Sequence, residues 1–382
     1  MHMSGESKGP AENAAKPEQD YAAIVERLVS GEAVSWEEFN HHLAVQNAGA
    51  PRGPRPGERL LEFSLPDQSG AMRALSSLAR ERGLLIVVVR TSHWCGYCRN
   101  QLAALNHSVA KMRAAGFGVA AIAPDAPDLV GEFAQFAKLE YPLLADEGAA
   151  YVERLGLLNP NMSSSGRQNG GRVPYPGHIL LDASGVVRAS EFTDDLRHRL
   201  DGASLVFEHV NAEVGEVVGA ASDDVLGAEL ILSSKVFQGG QDARGMVRVK
   251  IAPGWSIYPA EAPAPYQGAR LAVASPVLES IVVAPLACGH EAIARCEGDV
   301  QFPLRLRLKW SPPVHGSRRL RGLSDELEKL QTPPGDYAVT AELKYQACSS
   351  DGVCLPPQTL TLEGFVSLAP DIGKTRPFFA GE

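Results

Sequence analysis

The chain has no apolar segment long enough to cross a bilayer. Its longest strongly apolar run extends from Leu84 to Val89, whereas a membrane-spanning helix needs about 20 apolar residues. The first sixty residues also lack the apolar stretch of a secretory signal peptide. These absences favour a cytoplasmic protein, with a periplasmic or other extracytoplasmic location as the alternative if a signal peptide has been removed.

Positive charge is also scarce. The 382 residues include 36 Lys and Arg against 45 Asp and Glu, which gives a formal net charge of -9. Because nucleic-acid-binding domains usually carry a basic surface, this balance argues against a nucleic-acid partner. A hydrophobic content of 45% and a charged content of 21% are ordinary for a globular protein, so extensive disorder is excluded.

The length predicts two or three domains, and the first half of the chain has a mixed helix and strand pattern. Residues 1–57 are interpreted as a polar tail, short helices and a Pro- and Gly-rich linker, with a capping-box pattern at Ser35 and Glu38. Residues 58–208 alternate predicted strands and helices. The run Leu84–Val89 is typical of a strand covered on both faces, so this part predicts an α/β domain with a central sheet.

Helical patterns almost vanish after residue 222. Residues 209–227 are predicted to be a linker. Residues 228–368 contain strand-like runs between Pro and Gly turns, a pattern typical of a β-sandwich. Residues 369–382 are interpreted as a tail.

The six cysteines fall into three close pairs: Cys95/Cys98, Cys288/Cys296 and Cys348/Cys354. In a soluble chain of this size, paired cysteines indicate redox chemistry or metal binding more than a framework of structural disulfides. The pair Cys288/Cys296 matches no motif. A structural disulfide, two free thiols, a metal site with His290 and a redox sensor all stay open for it.

The segment Trp94–Cys98 follows a predicted buried strand and opens a predicted helix. A helix N-terminus presents unpaired N–H groups and the positive end of the helix dipole, which favour a thiolate at Cys95. The spacing predicts that Cys95 attacks and Cys98 resolves. Half a zinc site and two packed thiols are the alternatives. No second Cys-x-x-Cys completes a tetrahedral zinc site, so neither a metal nor a cofactor is predicted.

Three segments of this domain resemble the thioredoxin superfamily, and within it the peroxiredoxin-like redoxins of the AhpC/TSA type. They are Phe63–Asp67 with Gly70, Arg90–Leu102, and Pro174–Asp182 with Gly185. The resemblance implies a thioredoxin-like fold over residues 58–200 and thiol chemistry at Cys95 supported by Trp94. It also implies a cis-proline facing the cysteine pair, at Pro176 or else at Pro174.

Two departures from these families bear on the mechanism. Peroxiredoxins carry Pro and Thr seven and three residues before the reactive cysteine, where this sequence has Val88 and Ser92. Ser92 can still offer a hydroxyl to the Cys95 thiolate, whereas Val88 cannot replace the proline. Thioredoxins keep a buried Asp six residues before the first cysteine, where this sequence has Val89. The departures weaken the case for peroxide chemistry and favour thiol–disulfide exchange.

Cys348 and Cys354 flank a predicted turn near the end of the chain. The alternation along residues 337–347 places Cys348 on the polar face of a strand, and Asp351-Gly352 is a turn signal. The two cysteines can therefore approach the roughly 5.5–6 Å Cα separation of a disulfide. An accessible disulfide here is a candidate exchange site, with a structural staple as the alternative.

The sequence around this second pair resembles the N-terminal, immunoglobulin-like domain of the DsbD thiol:disulfide interchange family. The matching segments are Tyr345–Cys348, Cys354–Gln358 and Ile251–Pro259. The resemblance spans about residues 228–368 and implies an all-β immunoglobulin-like sandwich after the thioredoxin-like domain. It also implies that Cys354 forms a mixed disulfide with partner oxidoreductases, that Cys348 completes the pair, and that Tyr258 lies near the site.

Together these features predict an enzyme, a thiol–disulfide oxidoreductase that uses Cys95 and Cys98. The pair Cys348/Cys354 is predicted to relay electrons between domains or to a thioredoxin-like partner. One alternative is a thiol peroxidase with antioxidant activity, in which Cys95 becomes a sulfenic acid that Cys98 resolves. Another is a non-catalytic module that binds a redox partner and in which the disulfides are structural. The expected partners are thioredoxin-like proteins or disulfide and peroxide substrates.

Overall fold

The computed structural model describes residues 34–51, 53–162, 171–210, 214–262, 264–286, 295–311 and 324–372, together with positions 23, 24, 27, 30 and 32. Within these residues, every helix is too short or too polar to span a membrane.

The first part of the described chain alternates helices and strands. Its helices are α1 (Trp36–Val45), α2 (Leu75–Leu78), α3 (Gly96–Ala114), α4 (Pro127–Phe136), α5 (Ala150–Arg154) and α6 (Ser204–Val210). Its strands are β1 (Ser64–Pro66), β2 (Met72–Ala74), β3 (Gly83–Val88), β4 (Phe117–Ala123), β5 (Leu143–Ala145), β6 (Gly177–Leu181), β7 (Val187–Phe192) and β8 (Arg199–Leu200). Short 3-10 turns lie at Glu147–Ala149 and Pro160–Met162.

Five of these strands form the central sheet, in the order β5-β4-β3-β6-β7. Strands β3, β4 and β5 run parallel, whereas β6 and β7 are antiparallel to their neighbours. Every residue of β3 is buried. Leu85 and Val87 pack with α3, while Leu84 and Ile86 pack with Tyr151 on the opposite face. The predicted α/β domain with a doubly covered central strand is confirmed.

The second part of the chain is dominated by strands. They are β9 (Glu216–Ser222), β10 (Leu226–Leu232), β11 (Val236–Phe237), β12 (Gln241–Ile251), β13 (Trp255–Ile257), β14 (Arg270–Ala274), β15 (Leu278–Val283), β16 (Asp299–Leu308), β17 (Gly335–Tyr345), β18 (Ala347–Ser349) and β19 (Gln358–Leu368). Helix α7 (Ser324–Lys329) lies between β16 and β17. Strand β9 falls inside the predicted linker 209–227, because its Gly, Ala and Ser residues carry little strand signal.

Most of these strands are hydrogen-bonded into one continuous sheet, whereas a β-sandwich has two separate sheets. A ten-stranded sheet runs in the order β14-β17-β19-β9-β10-β12-β16-β15, with β11 and β8 attached, and β13 pairs with β18 apart from it. The end strands β14 and β15 lie close to each other. The sheet therefore curls around one apolar core that includes Phe237, Phe302 and Tyr345. We call this part the β-domain.

The two parts share an interface at one end of the β-domain. Strand β8 pairs in parallel with the start of β12. Arg244 Nε lies 2.6 Å from Glu208 and Arg244 Nη2 lies 2.9 Å from Glu191. Ile231 and Met246 of the β-domain belong to the same apolar cluster as the buried face of α3. The first part of the chain is thus attached to the β-domain by backbone pairing, ion pairs and apolar packing.

Candidate active site

Cys95 and Cys98 lie at the beginning of α3, at the end of the central sheet. Cys95 is the N-cap residue, and its Sγ accepts a hydrogen bond from the Cys98 backbone N–H at 3.3 Å. The Cys98 thiol donates to Cys95 Sγ at 2.6 Å. Both are free thiols, with exposed fractions of 4% and 0%. The predicted position at a helix N-terminus, with the two sulfurs adjacent, is confirmed.

The surroundings separate the acidities of the two thiols. Burial opposes ionisation of Cys95, but the hydrogen bond from Cys98 and the charges of Arg90 and Arg199 outweigh it and lower the pKa of Cys95 to about 6. Burial and the adjacent Cys95 sulfur raise the pKa of Cys98 well above its usual value. At neutral pH the site therefore holds a thiolate at Cys95 and a protonated thiol at Cys98.

Two buried arginines supply positive charge to this site, and neither was predicted from the sequence. Arg90 follows β3 and is 2% exposed; its Nη2 donates to Gln46 Oε1 at 3.0 Å. Its guanidinium also lies 5.3 Å from the centre of the Trp94 ring. Arg90 could have been noticed in the sequence, because it is a charged residue directly after the apolar run Leu84–Val89. Arg199 lies on β8, distant in sequence, and only the fold brings it to Cys95.

The hydroxyl of Ser92 donates to Asp125, whereas the sequence predicted that it would donate to the Cys95 thiolate. Ser92 Oγ donates to Asp125 Oδ2 at 2.8 Å, and the Ser92 backbone N–H donates to the same atom at 2.6 Å. Thr91 Oγ1 donates to Asp125 Oδ1 at 2.6 Å. Because its single hydroxyl hydrogen points to Asp125, Ser92 does not donate to Cys95. Helix α4 begins two residues after Asp125, at Pro127, without a side-chain cap.

The predicted supporting residues Trp94 and Pro176 both lie at this end of the domain. Trp94 is half-buried and packs with Met162 and Val173. Pro176 is buried and lines a cavity together with Gln101. The expected cis bond is not found at Pro176 or at Pro174, since the cis peptide bond among the described residues precedes Pro265.

Residues 34–50, which we call the N-terminal cap, cover the catalytic end of the sheet. The cap is held by hydrogen bonds from Asn159 Nδ2 to the Gln46 carbonyl at 2.7 Å and from Asn161 Nδ2 to the Ala48 carbonyl at 3.0 Å. Trp36 of the cap stacks on Trp310 of the β-domain at 6.2 Å, and Tyr97 packs in the same cluster. Cys95 itself is 4% exposed.

Cys348 and Cys354 form a disulfide with a Cα separation of 4.0 Å, as the turn pattern predicted. Cys348 is 1% exposed, however, so its predicted place on the polar face is wrong. Strand β17 ends at Tyr345, and β18 begins a new pairing in which Cys348 faces Ser256 of β13. Because the pairing partner changes after Tyr345, the alternation of buried and exposed side chains along β17 does not continue to Cys348. Cys354 is half-buried beside the exposed Val353.

Tyr258 follows β13 directly, so it lies near the strand that pairs with Cys348. It is fully buried, stacks on Tyr266 at 4.5 Å, and has the Arg295 guanidinium 5.6 Å from its ring centre. Burial raises the pKa of Tyr258. Cys296 is disulfide-bonded and pairs with Ile257 through a β-bridge. Cys288 lies outside the described residues.

The two redox-type pairs lie at opposite ends of the β-domain. Gln241, at the start of β12, pairs with Arg199, whereas Ile251, at its end, leads into β13 beside Cys348. At about 3.3 Å per residue, β12 spans roughly 30 Å. The β17–β19 ladder has a similar length. A direct relay between Cys95/Cys98 and Cys348/Cys354 within one chain therefore does not fit this arrangement.

Comparison with known proteins concerns the first part of the chain. The model of the AhpC/TSA family matches residues 56–190. Peroxiredoxin Bcp of Escherichia coli K12 is 27% identical over 135 residues, which is 35% of this chain and 82% of the relative. Residues 56–190 form a peroxiredoxin-like domain of the thioredoxin superfamily. The predicted class of enzyme, an oxidoreductase, is confirmed at this level.

Solved structures match the same region. Peroxidoxin BcpB of Mycobacterium tuberculosis has 19% identity and a TM-score of 0.32 over 37% of this chain and 86% of that one. A thiol peroxidase of Chromobacterium violaceum has 23% identity and a TM-score of 0.32 over 38% and 80%. The N-terminal cap, Arg199 and the β-domain with its disulfide all lie outside the family match.

Proposed function

We propose that this protein is a thiol peroxidase in which Cys95 reduces a hydroperoxide and Cys98 resolves the product. The sequence favours thiol–disulfide exchange and leaves a thiol peroxidase as an alternative. Two findings favour the peroxidase over exchange with protein disulfides. The Escherichia coli relative that matches the domain containing Cys95 and Cys98 is a peroxiredoxin. In addition, Cys95 is only 4% exposed, and a small peroxide can reach such a buried residue more easily than another protein can.

The chemistry follows from the two thiols. The Cys95 thiolate attacks the terminal oxygen of ROOH, the O–O bond breaks, and the departing alkoxide takes a proton to become ROH. Cys98 then attacks the Cys95 sulfenic acid, the S–O bond breaks, and water leaves as the disulfide forms. The 2.6 Å contact between the sulfurs carries this proposal, because resolution needs no rearrangement of α3. An external dithiol must then reduce the disulfide.

A second candidate function concerns the β-domain. We propose that Cys348 and Cys354 exchange with a thioredoxin-like partner, as the resemblance to the DsbD N-terminal, immunoglobulin-like domain implies. An external partner is favoured because Cys348 lies beyond the far end of β12, a strand of roughly 30 Å whose start pairs with Arg199. The exposed turn at Val353 places Cys354 next to solvent.

The test is a stopped-flow comparison of the reduced protein with hydrogen peroxide and with a small protein disulfide. We expect fast oxidation by peroxide, slow exchange with the protein disulfide, and a Cys95–Cys98 disulfide in the product. Cys98→Ser should stop at a sulfenic acid on Cys95 that dimedone traps. Fast protein exchange with slow peroxide reaction would instead make the protein a thiol–disulfide oxidoreductase. Cys354→Ser is the matched control, since it leaves the first site intact.

A further inference from the structure

A residue between the two cysteines is in contact with the N-terminal cap. Tyr97 packs against a buried apolar cluster that includes Phe39 and Leu43 of helix α1. At the edge of the same cluster, Trp36 of α1 stacks on Trp310 of the β-domain, with ring centroids 6.2 Å apart. The cap therefore lies against the first turn of α3, on the side of the Tyr97 side chain.

The residue before Cys95 is linked to the cap through a buried arginine. The Arg90 guanidinium lies 5.3 Å from the centre of the Trp94 ring, and its Nη2 donates to Gln46 Oε1 at 3.0 Å. Gln46 is the C-cap residue of α1. The cap is thus connected to the cysteine segment on both sides of Cys95, at Trp94 and at Tyr97.

The segment that leads into Pro176 contacts the cap as well. The Tyr175 hydroxyl donates to the Ala48 carbonyl at 3.2 Å. Two residues earlier, Val173 packs in the same small cluster as Trp94. A protein that forms a mixed disulfide must contact the residues around the attacked sulfur. The cap therefore takes up part of the surface that such a protein needs.

Reduction of a Cys95–Cys98 disulfide requires direct attack on one of its sulfurs. Cys98 is fully buried, so the 4% exposed Cys95 is the accessible member of the pair. A thiolate of the reductant attacks the Cys95 sulfur, the S–S bond breaks, and Cys98 leaves as a thiolate that takes a proton. The second thiol of the reductant then attacks the reductant's own sulfur in the mixed disulfide and releases the Cys95 thiolate. Two electrons pass to this protein, and the reductant ends as a disulfide.

The contacts that hold the cap can be exchanged for water. Arg197 Nη1 donates to Asn40 Oδ1 at 2.7 Å, and the Ala50 N–H donates to the exposed Asp194 at 2.9 Å. Such hydrogen bonds have a small net value, because water replaces them when they open. Asn47 is fully buried, and its Nδ2 has no hydrogen-bond partner among the described residues. This donor regains water when the cap leaves, which favours release.

We propose that the N-terminal cap is an autoinhibitory element: it occupies the docking surface of a protein reductant, a thioredoxin-like dithiol, and must be released before that reductant can reach Cys95. A small peroxide or a small thiol needs much less surface, so its reaction does not depend on release of the whole cap. The inference rests on the formation of the Cys95–Cys98 disulfide in the proposed function, but not on which oxidant forms it.

The experiment measures reduction of the Cys95–Cys98 disulfide in the full-length protein. The protein is oxidised with diamide, so the test does not depend on peroxidase activity. Reduced thioredoxin is the protein reductant and dithiothreitol is the small one, and peptide mapping after an acid quench follows the pair. Trp36→Ala should speed reduction by thioredoxin about tenfold, because the cap opens more often. Reduction by dithiothreitol and the first oxidation by hydrogen peroxide should stay nearly unchanged.

Two further variants test the role of the cap. Glu37→Ala is the matched control, because Glu37 is an exposed residue of the same helix and its loss should leave all three rates unchanged. Asn161→Ala removes the 3.0 Å hydrogen bond to the Ala48 carbonyl from outside the cap. It should raise the thioredoxin rate severalfold, and it keeps the test available if Trp36→Ala does not fold.

Three outcomes would overturn the proposal. They are equal thioredoxin rates in the wild type and both cap variants, an equal rise in the dithiothreitol rate, and an equal effect of Glu37→Ala. Slow oxidation by peroxide together with the expected thioredoxin pattern would support the autoinhibitory cap and would count against the peroxidase function alone.

Discussion

The hydrogen bond from Cys98 to Cys95 makes a quantitative prediction about the reactive thiol. Among the interactions that lower the pKa of Cys95 to about 6, this hydrogen bond is the largest. A hydrogen bond to a charged group contributes about 1.5–3 kcal/mol, and one pKa unit corresponds to about 1.4 kcal/mol. Cys98→Ala should therefore raise the pKa of Cys95 by about one to two units, to between about 7 and 8.

The rate of peroxide reaction at one pH is a poor measure of this change. A thiolate becomes intrinsically more nucleophilic as its pKa rises, with a Brønsted coefficient of about 0.4–0.5. For a two-unit rise, the gain of about six- to tenfold nearly cancels the smaller thiolate fraction at pH 7. At pH 5, where both forms are mostly protonated, the rate should fall about tenfold. At pH 9.5 it should rise severalfold.

The assay is a pH titration of thiolate absorbance at 240 nm, followed by the pH profile of the first reaction with hydrogen peroxide. The disulfide-bonded Cys348, Cys354 and Cys296 do not contribute to the titration. Cys98→Ser is the matched control, because its hydroxyl still donates to the sulfur and should keep the pKa of Cys95 nearer 6. If Cys98→Ala titrates at about 6, the arginines and the helix N-terminus, rather than Cys98, stabilise the thiolate.

Four further results are expected. Asp125→Asn should lower the free energy of unfolding by about 2–3 kcal/mol in urea, because the carboxylate accepts three buried hydrogen bonds at 2.6–2.8 Å; a change below about 0.5 kcal/mol would contradict this role. The reduced protein should gain stability from pH 6 to about 9, where Cys95 is ionised in the folded chain but protonated in the unfolded one, and Cys95→Ser should lose this slope. Trp36→Ala should speed modification of Cys95 by a bulky maleimide, since it weakens the stacking that holds the N-terminal cap on Trp310; an unchanged rate would mean that the cap does not limit access. Cys354→Ser should leave the first turnover with peroxide unchanged, whereas a slower first turnover would show that the two pairs communicate.

The features predictable from sequence are those encoded by neighbouring residues. The run Leu84–Val89 is continuous in apolar character because both faces of β3 are covered. The turn signal at Asp351-Gly352 brings Cys348 and Cys354 together across a few residues. The capping box at Ser35 and Glu38 is formed as predicted. Each depends on bonds or packing within a short stretch of chain.

The errors occur where a pattern was extended across a break or transferred from a relative. The alternation along β17 was continued to Cys348, but the chain changes strand partner after Tyr345. The cis bond implied at Pro176 is not formed. Ser92 donates to Asp125, which follows the end of the neighbouring strand β4. The sequence around Ser92 does not predict this contact.

The residues from Leu84 to Cys98 are enough to predict a buried strand followed by two cysteines at a helix N-terminus, and thiol chemistry at that point. The charges that surround Cys95 and Cys98, and the position of this pair relative to the Cys348–Cys354 disulfide, depend on the three-dimensional fold. Arg199 reaches the site because β8 joins the sheet of the β-domain, and the length of β12 keeps Cys348 at the far end. Such long-range placement depends on how strands pair across the whole chain, and it cannot be inferred from the spacing of residues in the sequence.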